Sequence, residues 1–146
     1  MAAFRSHSVA DTEAVAGELA RALRPGSVIA LEGDLGAGKT QFVRGLVKAL
    51  GGAGEQVSSP TYVLLHVYDA PAMKVYHLDA YRVHGADDFE QIGFDELLEQ
   101  GGVVVVEWAS RVKALLPSDT VRVTITHQSP TERAITISSP SPSLEG

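Results

Sequence analysis

The chain has 146 residues, 45% of them hydrophobic, which suits one domain with a substantial core and leaves no room for a second. Eighteen acidic against twelve basic residues give a net charge of −6, which argues against a protein that grips nucleic acid mainly through its own phosphate contacts. There is no cysteine, so a disulfide framework and a thiolate metal site are excluded; neither an apolar signal core nor a membrane-length run is present, and a soluble cytoplasmic protein is the expectation.

Residues 3–8 read as a short first strand, and Asp11-Thr12 resembles a helix cap before Ala14, Val15, Leu19 and Leu23, with Pro25-Gly26 ending the helix. Residues 27–31 are a short apolar run of β-formers. Gly33 to Thr40 then satisfy G-x-x-x-x-G-K-[ST], and Phe42, Val43, Leu46, Val47 and Leu50 recur at helical spacing until Gly51-Gly52. This strand, glycine-rich loop and helix form a phosphate-binding loop. Its glycines let the backbone curl so that amides from Leu35, Gly36, Ala37, Gly38, Lys39, Thr40 and Gln41 can face a nucleotide's phosphates. The Lys39 ammonium is suited to the β- and γ-phosphates, the Thr40 hydroxyl to Mg²⁺, and the positive helix N-terminus to the whole anion.

Downstream, Ser58-Ser59-Pro60-Thr61 is a polar segment with a restricted backbone, leading into a strand over 62–68. Asp69-Ala70-Pro71-Ala72 is turn chemistry and 74–79 a second strand, so the two predict an antiparallel hairpin and a sheet that is not purely parallel. Residues 87–100 read as two short helices broken near Gly93. Val103 to Val106 is a continuous β-branched run, the pattern of a strand buried on both faces, with Glu107 at its carboxyl end. A short helix is predicted over 111–116. Residues 120–126 and 134–137 alternate as a terminal hairpin with one wet face, and 139–146 have little to bury and read as a disordered tail behind a single domain over 1–138.

Hydrolysis needs more than a phosphate loop: a further magnesium position and a group that orients water. Asp79 and Glu107 both end apolar strands, where open α/β sheets bind ligands, and are the candidate catalytic carboxylates beside Lys39. His77 is a candidate base, though a lone strand histidine is more often structural. Trp108 suits either core or a docking surface.

Four blocks together, Gly33 to Thr40, Ser59-Pro60-Thr61-Tyr62, Tyr76 to Arg82 and Glu107-Trp108, resemble the TsaE (YjeE) family, the bacterial ATPase of tRNA threonylcarbamoyladenosine (t6A) synthesis. The likeness runs from about residue 11 to residue 137. This chain has Leu78 and Ala80 around Asp79 where the family usually has Phe and Leu, and Ala109 where proline is frequent. The resemblance implies an α/β, single-domain P-loop NTPase-like three-layer fold with a mixed parallel/antiparallel central sheet. It implies that Thr40 and Glu107 ligate Mg²⁺, that Asp79 acts near the γ-phosphate or its water, that Ser59, Pro60, Thr61 and Tyr62 form a switch, and that Thr12 and Arg133 flank the nucleotide's outer edge. It further implies ATP as the nucleotide, TsaD and TsaB as protein partners, tRNA met only through them, and no membrane. No Asn-Lys-x-Asp guanine motif is present, in keeping with ATP. A stand-alone small-molecule or nucleoside kinase is the alternative from another class, but no arginine-rich lid is visible; a non-hydrolysing nucleotide-dependent binding module is separated only by the fate of the γ-phosphate.

Overall fold

The computed structural model describes residues 2–33, 38–54, 57, 65–80, 93–109 and 116–138, with residues 79 and 95 described by backbone alone. In chain order these form β1 (Ala2–Ser6), α1 (Val9–Ala20), β2 (Val28–Gly33), α2 (Lys39–Ala49), β3 (Leu65–Tyr68), β4 (Val75–Asp79), α3 (Phe94–Glu99), β5 (Val103–Glu107), β6 (Val121–Ser129) and β7 (Glu132–Ser138). Centre-loop residues 34–37, the expected switch at 59–62, the first of the two helices expected after residue 87, residues 111–115 of the next, and the tail at 139–146 lie outside the described residues.

The strands make one seven-stranded sheet in the order β1-β7-β6-β2-β5-β4-β3. Its centre is parallel, β2 lying between β5 and β6 and β4 beside β5, while β1, β3 and β7 pair antiparallel at the flanks. The four valines of β5 are fully buried because the strand has neighbours on both sides and packing on both faces. Burying each such side chain is worth about 1.5–3 kcal/mol, which fixes β5 at the heart of the fold. Alternate residues of β2 split between two cores. Ile29 and Leu31 face α1 and α2 together with Phe42, Val43 and Leu46, whereas Val28 and Ala30 face Phe94 of α3. Helices on both faces of a mixed sheet give the three-layer α/β architecture anticipated from the sequence.

The expected β3–β4 hairpin forms, pairing Leu65 with Leu78 and Tyr68 with Val75. The terminal hairpin also forms, and its Arg122 and Thr124 are exposed. The start of α1 differs from the sequence reading. Ser8, not Asp11-Thr12, is the cap: its hydroxyl accepts from the Asp11 amide at 3.0 Å, and Asp11 Oδ2 accepts from the His7 amide at 2.9 Å. The serine hydroxyl satisfies the orphan Asp11 amide in the first turn while the Asp11 carboxylate ties down the chain just before the helix, two bonds that a cap at Asp11 would leave unmade. The helix also ends earlier than Pro25, at Ala20, and Ala22 and Leu23 continue it with hydrogen bonds to Leu19 and Ala20 that tighten the last turn.

The two helices α1 and α2 touch nearly backbone to backbone. A Cβ on Gly45 would lie 2.7 Å from the Cα and carbonyl oxygen of Glu13 and 2.9 Å from the Ala16 Cβ. Gly45→Ala is therefore expected to destabilise the chain by about 1–3 kcal/mol despite the better helix propensity of alanine, because the helices must separate. Denaturant unfolding of the two proteins measures this, and an unchanged or raised midpoint would refute the close-packing account.

Candidate active site

Three parallel strands deliver the candidate groups to one edge of the sheet. In register, Leu31 of β2 lies beside Glu107 of β5, and Glu107 lies beside Asp79 of β4. All three strands point their carboxyl ends the same way, so the strand ends that carry both predicted acids and the end of β2 that leads into the glycine-rich motif converge. Gly38 caps α2 in the left-handed region at φ 108°, a conformation that costs glycine little. It turns the chain so that the helix begins at Lys39 and directs that side chain back to the strand ends.

There Lys39, Glu107 and His77 form a buried cluster. Lys39 is 6% exposed, Glu107 5% and His77 0%. The Lys39 Nζ lies 3.6 Å from Glu107 Oε1, too long for a hydrogen bond but close enough for an ion pair. His77 Nε2 lies 2.6 Å from Glu107 Oε2. Burial pushes the Glu107 carboxyl up, but the hydrogen bond and charge of His77, with the charge of Lys39, outweigh it and hold the group below the ordinary glutamate range. Lys39 Nζ also stands 4.1 Å from the centre of the Trp108 ring, in a cation–π contact. Trp108 is the non-glycine residue with positive φ among the described residues, at 57°, and this strained turn after β5 lays the indole beside the lysine. Lys39 Nζ and His77 Nδ1 are both buried without a hydrogen-bond partner among the described residues. A buried ammonium with unmet donors is matched chemically by a polyanion.

A cleft of about 240 Å³ opens beside the start of α2. Thr12, Gly38, Gln41 and Arg133 line it, together with His7 and Thr131. The structure thus gathers Thr12 from α1 and Arg133 from β7 next to the first turn of α2. The Thr12 hydroxyl is already placed by the fold: Ser6 Oγ donates to the Ser8 carbonyl at 2.8 Å, which leaves Thr12 as donor in the 2.7 Å contact with Ser6 Oγ. A lone pair of the Thr12 oxygen remains to accept a further bond. Thr40 lies half-buried in the first turn of α2. Leu35, Gly36 and Ala37, the switch residues Ser59, Pro60, Thr61 and Tyr62, and the side chain of Asp79 lie outside the described residues.

Sequence reasoning left His77 and Trp108 undecided, and Ser6 unnoticed. His77 sits opposite Val105, two residues short of Glu107 on the neighbouring strand, so their contact is a cross-strand diagonal. Only the β4–β5 register reveals it. Ser6 is joined to Thr12 across the β1–α1 turn, a link that the correct cap at Ser8 would have suggested.

The TsaE family, described as threonylcarbamoyl adenosine biosynthesis protein TsaE, matches residues 6–135. The tRNA threonylcarbamoyladenosine biosynthesis protein TsaE of Treponema pallidum (strain Nichols) is 41% identical over 132 residues, 90% of this chain and 96% of that protein. Its counterpart from Bacillus subtilis (strain 168) is 38% identical over 133 residues, 91% of this chain and 82% of the relative. A crystal structure of Bacillus subtilis YdiB superposes with a TM-score of 0.77 at 31% identity, covering 96% of this chain and 86% of that one.

The depressed pKa of Glu107 has a signed consequence for stability. A carboxyl that is more acidic folded than unfolded contributes stability in full above the ordinary glutamate value of about 4.3, and loses it as pH falls through the lower folded value. The stability difference between wild type and Glu107→Gln should therefore hold steady near neutrality and shrink below about pH 4.3. Denaturant titrations at a series of pH values check this. A difference that grew on acidification would reverse the sign assigned to the pair.

Proposed function

This chain belongs to the TsaE family of threonylcarbamoyladenosine biosynthesis proteins, and from that premise we propose that it binds and hydrolyses ATP with Mg²⁺ as the ATPase partner of TsaD and TsaB in t6A modification of tRNA. The observation that carries this reading is Lys39: a buried ammonium with no hydrogen-bond partner among the described residues, set at the carboxyl edge of the parallel strands as the lysine of a phosphate-loop motif. Its ion pair with Glu107 gives the cation a temporary counter-charge. Phosphate oxygens would supply the hydrogen bonds that Glu107, at 3.6 Å, does not.

In this reading the amides of residues 35–41 hold the phosphates, Lys39 turns to the β- and γ-phosphates, and Thr12 and Arg133 flank the outer part of the nucleotide in the cleft beside Gly38 and Gln41. Thr40 and Glu107 would hold Mg²⁺. Among the described residues no group of three histidine, aspartate or glutamate side chains is placed to hold a metal by itself. Two protein oxygens plus phosphate oxygens and water are the ordinary surroundings of Mg²⁺ in such sites, so the donor set fits. When bound, the ion supplies positive charge where negative charge grows on the transferred phosphoryl. Asp79, in register beside Glu107, orients the attacking water. Residues 59–62 serve as the switch that partners order. The net charge of −6 supports contact with tRNA through TsaD and TsaB rather than directly.

Lys39→Ala should weaken ATP binding about 10- to 100-fold, since hydrogen bonds to charged groups contribute about 1.5–3 kcal/mol, and calorimetry measures it. Glu107→Gln and Asp79→Asn should lower turnover more than ATP affinity. Turnover by the lone chain should be slow, rise on adding TsaD and TsaB, and respond little to tRNA alone. Unchanged affinity and turnover in Lys39→Ala, or strong stimulation by tRNA without the proteins, would overturn the proposed function.

A further inference from the structure

His77 is the one member of the buried cluster to which the proposed mechanism gives no task. It is fully buried, on the central side of β4, and its Nε2 meets Glu107 Oε2 at 2.6 Å. An ionised carboxylate only accepts, so His77 is the donor. The imidazole is itself held: the Tyr68 ring packs at 6.0 Å between centroids, tilted by 49°, and His66 lies directly opposite on β3. With Nε2 committed to Glu107 and the ring buried, His77 is placed as a structural partner of the carboxylate, the more frequent role of a lone strand histidine.

The two oxygens of Glu107 are thus divided. Oε2 faces a rigid, buried donor, and Oε1 faces a lysine at ion-pair distance with no hydrogen bond. These contacts differ in permanence. Lys39 can leave for a phosphate, whereas His77 gains nothing by moving, since its strand and its neighbours stay where they are. We propose that His77 is a positioning residue that anchors Glu107 through Oε2, so that when Lys39 exchanges Glu107 for the nucleotide, Oε1 is left in a fixed place to ligate Mg²⁺. The inference rests on the proposed ATP·Mg²⁺ reading and deepens it. Carboxylate ligands to metals are commonly held by such an outer hydrogen bond, whose loss costs about 10- to 100-fold in metal affinity or activity.

The substitutions His77→Gln and His77→Asn separate positioning from packing. Both put an amide in the same buried space, but the longer glutamine places its N–H near the position of Nε2, and asparagine places it near Nδ1, short of Glu107. Binding is followed in the full chain by the fluorescence of Trp108, the chain's single tryptophan, whose ring Lys39 touches. ATP is titrated in the presence of a chelator, and Mg²⁺ is then titrated at fixed ATP. For His77→Asn, the Mg²⁺ concentration at half-saturation should rise about 10- to 100-fold, with ATP affinity in chelator within about twofold of wild type. His77→Gln should recover most of the Mg²⁺ response. In steady-state hydrolysis with TsaD and TsaB, kcat at limiting Mg²⁺ should fall for asparagine and recover for glutamine while KM for ATP stays near wild type. A wild type whose ATP binding ignores Mg²⁺ would overturn the proposed function and this inference with it. A Mg²⁺-dependent wild type with an asparagine variant that titrates alike, or with both variants equally impaired, would overturn this inference alone.

Discussion

Everything at this site turns on keeping one carboxylate ionised inside the protein. Glu107 ends a strand whose other four residues are fully buried valines, so its charge sits where the desolvation penalty amounts to several kcal/mol. A lysine at 3.6 Å returns roughly 4–5 kcal/mol at an effective dielectric of about 20, which offsets that penalty without exceeding it by much. The histidine bond at 2.6 Å tips the sum. A pair so nearly balanced is one that a stronger hydrogen-bonding anion would displace at small net cost. A pair held by a short bond on each oxygen would resist that exchange. The long Lys39 contact and the short His77 contact are therefore complementary parts of one arrangement.

The fold exists to bring those three residues together from distant parts of the sequence. Lys39 comes from the first turn of α2, His77 from β4 and Glu107 from β5. Only parallel pairing of β4 with β5, and of β5 with β2, puts all the carboxyl ends on one side. The same pairing buries the central strands on both faces, so the apolar runs that stabilise the sheet and the charges that end them follow from one topology.

Much of this was legible in the residues. Four consecutive valines could only be a doubly buried strand, a Pro-Ala turn between two β-rich runs could hardly be anything but a hairpin, and the glycine-rich loop declared both its helix and its lysine. What escaped were features set by register. Neither the order of the strands nor the diagonal from His77 to Glu107 has a local signature, because a strand's sequence says which face a residue takes and not which neighbour it meets. The cap of α1 escaped for a different reason. Ser8 and Asp11 are both good cap residues, and choosing between them depends on where the backbone leaves β1. That choice moved Thr12 from the mouth of the helix to its first turn, against Ser6.

Thr12 and Lys39 stand on different helices, so the distance between them is set by how closely α1 and α2 pack. The approach is governed by Gly45, where the absent side chain lets the Glu13 backbone come within the reach of a Cβ, and is pinned farther along by the 2.7 Å ion pair of Lys48 with Glu13. The pair is solvent-exposed on the lysine side and contributes little energy by itself. The backbone-level contact supplies the rigidity, because overpacking is resisted much more steeply than a surface ion pair is broken. The cleft beside Gly38 and Gln41 and the charged cluster around Glu107 both adjoin the first turn of α2. Helix α2 belongs to both: its N-terminal turn carries Lys39, Thr40 and Gln41, and its middle carries the glycine that fixes how far away α1, with Thr12, must stand.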